Sequence, residues 1–174
     1  MGKAPVKNTI NTKNQTKNIL ICGVGGQGVI LASSVISSAL IKAGYDVKKS
    51  EVHGMSQRGG AVTSHIRFGK KVYSPIISGG ETDYLLSLNS LETTRNQHEL
   101  KKNGVVLECP AELAEKLEDI RSVNICLVGI LSAHLDIKED IWKNVIEEKI
   151  AKKILDLNIR SFDLGREYTM RLKK

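Results

Sequence analysis

An apolar run that ends in a glycine-rich turn constrains the fold more than any other feature of this chain. The run 18–22 (Asn-Ile-Leu-Ile-Cys) predicts a buried strand, and Gly23, Gly25 and Gly28 follow it with the spacing G-x-G-x-x-G. Apolar residues at helical spacing then predict a helix over residues 28–43. Strand, glycine turn and helix form the first unit of a dinucleotide-type α/β fold.

The glycine turn has two interpretations. Glycines let the main chain approach a phosphate closely, and the following helix offers free N–H groups at its positive end. Glu51, near the end of the second predicted strand, is a candidate for the acidic residue that binds a ribose. The other interpretation is a tight strand-to-helix turn with no ligand. The candidate ligand-binding residues are Gly23, Gly25, Gly26, Gln27 and Gly28.

A second loop, His-Gly-Met-Ser-Gln-Arg-Gly-Gly over residues 53–60, follows the second predicted strand on the same edge of the sheet. Arg58 is a cation that can bind a phosphate or a carboxylate at two points. Gly59 and Gly60 permit a positive φ or a close backbone approach. The alternative is a loop packed on a partner, with Arg58 in a structural salt bridge. We therefore treat Arg58, Gly59 and Gly60 as candidates for a coenzyme-proximal site or a subunit interface.

The rest of the chain continues the α/β pattern. A hairpin is predicted between residues 61–68 and Val72–Ser74, and further strands at 82–88 and 104–108. Predicted helices cover 90–100, 111–117, 138–149 and 150–158, before a polar end. The periodicity of the apolar run 123–134 fits a strand or a helix, and its length and Leu/Ala content favour a helix. We expect a flexible leader over 1–17 and a single three-layer domain over 18–174, with a mostly parallel, Rossmann-like sheet, a hairpin and a helical C-terminal part.

Composition excludes several classes of protein. The chain has 174 residues and a net charge of +7, but four lysines lie in the acid-free leader, and aromatic residues make up only 4%. We therefore expect no nucleic-acid binding. No apolar run is long enough to cross a bilayer. Three distant cysteines suit reduced thiols in a cytoplasmic protein and are too few for an iron–sulfur cluster.

Several motifs in series resemble one family. They are Gly23–Gly28, Ser50–Gly60, Ser64–Gly69, Tyr73–Pro75, Asn124, Gly129–Ala133, Asn158, Phe162 and Gly165. Together they resemble the gamma-type subunits of 2-oxoacid:ferredoxin oxidoreductases, above all those of the indolepyruvate enzymes. The resemblance implies a subunit that carries no cofactor itself, in a complex that converts a 2-oxoacid and coenzyme A to an acyl-CoA and CO2.

The same resemblance implies the partners. Thiamine diphosphate, Mg²⁺ and iron–sulfur clusters are expected on a larger partner subunit, coenzyme A is the co-substrate, and ferredoxin is reached through the complex. The resemblance neither requires nor excludes a homodimer of the isolated chain. Two other functions compete with this one: an autonomous nucleotide-binding redox protein that uses Gly23–Gly28 and Glu51, and an interaction domain without a ligand.

Overall fold

Five strands form one sheet in the computed structural model, which describes residues 15–54 and 59–173. The strands are β1 (Lys17–Val24), β2 (Asp46–His53), β3 (Ala61–Gly69), β4 (Thr82–Ser87) and β5 (Leu100–Leu107). Their order across the sheet is β2-β3-β1-β4-β5. Strand β1 begins at Lys17, the last residue of the expected leader, and residues 1–14 lie outside the described part of the chain.

The α/β fold is confirmed, and the sheet is mixed: β1, β2, β4 and β5 run in the same direction, and β3 runs against them. Strand β1 pairs with β4 in parallel and β4 with β5 in parallel, whereas β3 runs antiparallel to both β1 and β2. The reason is that β3 returns directly from β2 without a crossover helix, and such a return reverses the strand direction. Strand β3 therefore lies between β1 and β2 and separates the two strands that a dinucleotide fold would place side by side.

The hairpin was predicted in the wrong place, between residues 61–68 and Val72–Ser74. The hairpin consists of β2 and β3, and Val72–Ser74 belongs to no strand. The Val72 N–H donates to Asp46 Oδ2 at 2.9 Å, and this hydrogen bond lowers the pKa of the Asp46 carboxyl group. The Asp46 carboxylate thus accepts the Val72 N–H, which in a second hairpin arm would donate to a neighbouring strand.

Six α-helices complete the fold of the described residues. They are α1 (Val29–Lys42), α2 (Ser90–Asn96), α3 (Ala111–Ala114), α4 (Val123–Ser132), α5 (Glu139–Lys149) and α6 (Lys152–Leu172). The helical C-terminal part is confirmed, but α6 continues well past the predicted end at residue 158. Its buried side is mostly small or polar, with Asn158, Ser161, Phe162, Gly165 and Thr169. Those residues repeat at helical spacing without giving an apolar pattern.

Helices α4 and α6 cross at close range through two glycines. A Cβ atom on Gly129 would lie 2.1 Å from the Phe162 carbonyl oxygen, and one on Gly165 would lie 2.1 Å from the Cys126 carbonyl oxygen. No larger residue fits at either position unless the backbones move apart. Each helix therefore contributes one glycine to the contact.

The two faces of the sheet are covered differently. One face, with Ile19, Ile66 and Leu86, packs into the main core together with α1, α4, α5 and α6. The opposite face has a much smaller apolar cluster, in which Leu20 and Leu85 pack against Ile77. The irregular segment between β3 and β4 thus covers part of this face, and α2 packs against β1 and β4. This arrangement leaves the carboxyl ends of β1 and β2 at one edge, next to the start of α1.

Candidate functional site

The glycine turn between β1 and α1 is held by Gln27. Its Oε1 accepts a hydrogen bond from the Val24 N–H at 2.8 Å, and its Nε2 donates to the Leu88 carbonyl at 3.1 Å. The Gln27 N–H also donates to the Val24 carbonyl at 3.1 Å. Gln27 was predicted as a ligand donor, and the structure places its amide between the turn and the segment after β4. Its contacts are those of a residue that positions the turn.

The glycines of the turn serve different purposes. Gly26 and Gly28 have φ angles of 96° and 81°, a region that residues with a Cβ rarely adopt. A Cβ on Gly28 would also lie 2.2 Å from Asn124 Nδ2, and one on Gly23 would lie 2.9 Å from a methyl carbon of Val29. Gly25 has neither a positive φ nor a close neighbour. Conformation thus requires glycine at two positions, and packing requires it at Gly23 and Gly28.

The two loops singled out in the sequence meet through a backbone hydrogen bond. The Gly25 N–H donates to the Gly60 carbonyl at 2.9 Å, directly beyond the register pair Val24 and Ala61 of β1 and β3. Gly59 has a φ of 65°, in the positive region that the sequence predicted a glycine here would permit. Arg58, the cation of this loop, lies outside the described residues. The structure therefore brings Gly25, Gly59 and Gly60 together.

A cavity of about 690 Å³ opens where these loops meet the start of α1. The cavity is lined by the backbone of three glycines, by mostly apolar side chains and by one imidazole. The lining consists of Val24, Gly25, Gly26, Gly28, Val29, Ile30, Leu31, Ser34, His53 and Val62. Sequence reasoning missed the part that α1 itself supplies. Ile30 fits the helical apolar pattern that predicts core residues, yet the residue is 39% exposed and lines the cavity.

The start of α1 is electrostatically suited to an anion. The helix has 14 residues, its N-cap is Gly28 without a side-chain cap, and its first turn has no acidic residue. The N–H groups in the first turn of a helix lack carbonyl partners within the helix and lie at its positive end. Because the Gly25 N–H is already bonded to Gly60, the donors for a ligand here are those of the first turn of α1.

Asn124 forms a hydrogen bond to the N-cap residue of α1. It is buried in the first turn of α4, and its Nδ2 donates to the Gly28 carbonyl at 3.3 Å. The sequence carried a signal for it, because a lone Asn at the beginning of a strongly apolar helix needs a polar partner when buried. The identity of that partner required the three-dimensional structure.

Glu51, the candidate ribose ligand, has other partners. Its carboxylate accepts hydrogen bonds from Lys49 Nζ at 2.8 Å and from Ser33 Oγ at 3.3 Å. The hydrogen bond from Lys49 is the main reason that the pKa of Glu51 is lowered. Glu51 does not line the cavity, and β3 separates its strand from β1. These contacts count against the autonomous nucleotide-binding protein.

Two further observations concern residues 15–54 and 59–173. They contain no group of three or more His, Cys, Asp or Glu side chains that could hold a metal ion. No helix among them combines the length and the apolar character that crossing a membrane requires.

The comparison with known proteins decides the family. Residues 18–168 match the family described as pyruvate ferredoxin/flavodoxin oxidoreductase. The chain belongs to this family. The family resemblance noted in the sequence is thereby confirmed, and the match includes both loops and the α4–α6 crossing.

Individual relatives agree with this assignment. The chain is 43% identical to "Indolepyruvate oxidoreductase subunit IorB" of Methanothermobacter thermautotrophicus, over 85% of this chain and 95% of that protein. It shares its fold with the gamma subunit of a keto/oxoacid ferredoxin oxidoreductase from Geobacter sulfurreducens, with a TM-score of 0.74 at 22% identity, over 89% of this chain and 99% of that one.

A longer chain contains the same fold. The 2-oxoglutarate:ferredoxin oxidoreductase from Magnetococcus marinus, solved with 2-oxoglutarate, coenzyme A and succinyl-CoA bound, matches with a TM-score of 0.76 at 20% identity. The match covers 91% of this chain but only 32% of that one. The α/β fold of the present chain thus occurs both as a separate subunit and as part of a larger polypeptide.

Proposed function

We propose that the chain is the small, cofactor-free subunit of a 2-oxoacid:ferredoxin oxidoreductase that acts on an aryl pyruvate such as indolepyruvate. In this reaction the 2-oxoacid and coenzyme A give an acyl-CoA and CO2, and two electrons pass to ferredoxin. The observation that carries the proposal is the 43% identity to an indolepyruvate oxidoreductase subunit along 85% of the chain. Thiamine diphosphate, Mg²⁺ and the iron–sulfur clusters belong, in this proposal, to the larger partner subunit.

The cavity at the start of α1 has a defined place in this function. We assign it to an anionic group, either a phosphate of coenzyme A or a carboxylate of the partner subunit. Support comes from the acid-free first turn of α1 and from the backbone of Gly26, which lines the cavity without a side chain. The apolar lining from Ile30 and Leu31 suits the less polar part of such a ligand.

Reconstitution tests the assignment as a subunit. The chain and its partner subunit are purified separately, and reduction of ferredoxin or of a viologen dye is measured with indolepyruvate and coenzyme A. We expect no activity from the chain alone and restored activity in the mixture. Activity of the chain alone at high purity contradicts the subunit assignment, and a complex that prefers an aliphatic 2-oxoacid contradicts the aryl substrate.

A charge placed in the cavity tests the anion site. Ile30→Glu puts a carboxylate beside the first turn of α1, so we expect the KM for coenzyme A to rise at least tenfold, or assembly to weaken if the anion belongs to the partner. Ile30→Gln has a similar shape without the charge and controls for packing. Ile41→Glu, on an exposed residue near the other end of α1, controls for an added acid. Equal kinetics together with equal assembly in all three variants contradict an anion site.

Arg58 is kept as a sequence-based prediction. If it binds the same anion, Arg58→Ala lowers activity at limiting coenzyme A by an amount that corresponds to about 1.5–3 kcal/mol. Arg58→Lys rescues this loss only in part, because a point charge does not reproduce a two-point contact. Arg171→Ala, on an exposed arginine of α6, is the matched control. Unchanged activity and unchanged assembly of Arg58→Ala exclude a role for this residue.

The ligand-free interaction domain is the competing function. It predicts that the partner subunit binds the chain but that no variant in the cavity changes the dependence on coenzyme A. Measuring assembly and coenzyme A dependence on the same variants separates the two functions.

A further inference from the structure

Two of the three cysteines lie in contact with each other. Cys109 Sγ and Cys126 Sγ are 4.0 Å apart, although 16 residues separate them in the sequence. Cys109 lies in the irregular segment between β5 and α3, and Cys126 lies in the middle of the buried helix α4. The third cysteine, Cys22, is buried in the smaller cluster on the other face of the sheet.

The two thiols differ in access. Cys109 is half-buried and lines a cavity of about 180 Å³ together with Ser87, Asn89 and Glu108. This cavity lies at the carboxyl ends of β4 and β5, separate from the cavity at the glycine turn. Cys126 is fully buried, and a Cβ on Gly165 would come within 3.1 Å of its sulfur. A small reagent therefore reaches Cys109 first.

The two thiols also differ in acidity. The hydrogen bond from Cys126 lowers the pKa of the Cys109 thiol. That same contact, together with burial, raises the pKa of Cys126. Burial raises the pKa of Cys22 to about 11. Since the thiolate is the nucleophile, Cys109 is the most reactive of the three.

We propose that Cys109 and Cys126 form a reversible redox site, in which Cys109 is the thiol that reacts with a low-molecular-weight disulfide and Cys126 is the resolving thiol. The sulfur atoms must approach from 4.0 Å to the length of a disulfide bond, about 2.05 Å. Rotation of the Cys109 side chain on its irregular segment supplies this movement, because Gly165 and the α4–α6 contact fix the position of Cys126.

The reaction takes place in two exchange steps. The Cys109 thiolate attacks one sulfur of the small disulfide, the S–S bond of the reagent breaks, and one thiolate leaves. The Cys126 sulfur then attacks Cys109 Sγ, forms the intramolecular bond and expels the second thiolate. The two cysteines lose two electrons to the reagent, and their two protons pass to the two thiolates that leave. A dithiol reductant reverses both steps.

Peptide mapping of the whole chain tests the site directly. The fully reduced protein is treated with oxidised glutathione under native conditions, quenched with acid, alkylated and digested with trypsin. Cleavage after lysine and arginine separates the three cysteines into peptides 18–42, 103–116 and 122–138. We expect a cross-link between 103–116 and 122–138 that disappears on reduction, while peptide 18–42 reacts at least tenfold more slowly.

Variants assign the order of attack. Cys126→Ser is expected to accumulate a glutathione mixed disulfide on Cys109, and Cys109→Ser to leave Cys126 unmodified. Cys22→Ser is the matched control and is expected to form the cross-link at the rate of the parent chain. Circular dichroism checks that each variant folds. If Cys126→Ser does not fold, the cross-link in the parent chain alone tests whether Cys109 and Cys126 form the redox site.

Three results overturn the proposal. They are a parent chain in which Cys109 stays free, one in which Cys109 carries a mixed disulfide that never resolves, and a Cys109→Ser variant in which Cys126 reacts as fast as Cys109 does in the parent chain. None of these readouts uses the activity of the complex, so they are independent of the proposed function.

Discussion

The glycines at the α4–α6 crossing and those of the turn before α1 are the same residue type used for different reasons. At the crossing, a Cβ on Gly129 or Gly165 would lie 2.1 Å from a backbone oxygen of the neighbouring helix. At the turn, a Cβ on Gly26 would meet no atom within 4 Å, and its φ of 96° is the constraint. The crossing needs glycine because there is no space for a Cβ, whereas Gly26 of the turn needs it because of its backbone conformation alone.

The comparison separates stability from function. Gly129 and Gly165 allow α4 and α6 to approach closely and so stabilise the fold. A glycine in open space, such as Gly26, leaves the backbone accessible from the cavity at the start of α1. Substitutions in the two regions should therefore change different measurements, and the following predictions test this from the largest expected effect to the smallest.

Gly129→Ala is expected to have the largest effect. The added methyl group must displace the Phe162 carbonyl of α6, and we expect a loss of about 3 kcal/mol or more in the free energy of unfolding. Urea denaturation measures it. Gly79→Ala is the control, because its Cβ would have only an ordinary contact at 3.9 Å. A Gly129→Ala variant within about 0.5 kcal/mol of the parent chain contradicts the close crossing.

Gly28→Ala combines both constraints and comes second. Its φ is 81° and its Cβ would lie 2.2 Å from Asn124 Nδ2, so we expect a loss of about 2 kcal/mol. A double-mutant cycle with Asn124→Ala separates the two terms, because removing the amide relieves the clash but leaves the cost of positive φ. If the losses in free energy of unfolding of Gly28→Ala and Asn124→Ala simply add, the contact with Asn124 does not cause the loss in Gly28→Ala.

Gly26→Ala has a smaller effect on stability and a specific effect on function. We expect a loss of about 1 kcal/mol from positive φ alone. Gly44→Ala is a matched control, since Gly44 has a φ of 88°, equally open surroundings and a position at the other end of α1. Both variants should lose similar stability, and only Gly26→Ala should weaken coenzyme A-dependent activity of the reconstituted complex. Equal activity in the two variants contradicts a ligand role for the turn.

Gly25→Ala is expected to leave stability almost unchanged. Gly25 has no positive φ, and its Cβ would lie 3.8 Å from the nearest atom, so the change should stay below about 0.5 kcal/mol. Because Gly25 lines the cavity, any loss of activity at unchanged thermal stability locates the effect in the ligand or partner site. A large loss of stability would contradict the described conformation of the turn.

The sequence predicted the local elements better than their arrangement. The first strand, the glycine turn, α1 and the apolar helix α4 follow from short-range patterns, and the structure confirms them. The position of β3 does not follow from such patterns, because the loop 54–60 and the register with β1 determine it together. Similarly, α6 was predicted too short, because Asn158, Ser161 and Gly165 on its buried side do not give the apolar pattern that predicts a helix.

The candidate site was predicted in part. The two loops were identified from glycine content and position, and the structure shows that Gly25 and Gly60 touch. The separate roles of the glycines were not predictable, because a one-dimensional spacing does not distinguish a positive φ from a close contact. Gln27 illustrates the same limit: its residue type indicates a donor, and only the position of Leu88 shows where that donor goes.

The hydrogen bond from the Gly25 amide to the Gly60 carbonyl has a thermodynamic consequence. It joins the turn before α1 to Gly60, directly before β3, so a displacement of one favours a displacement of the other. By linkage, a ligand that favours one arrangement of the turn favours the same arrangement of the loop, and a protein docked on the loop changes the affinity of the turn by the same factor. If the proposed ligand binds at the turn and the partner subunit docks on the loop, the change that either one causes in the affinity of the other measures one coupling free energy.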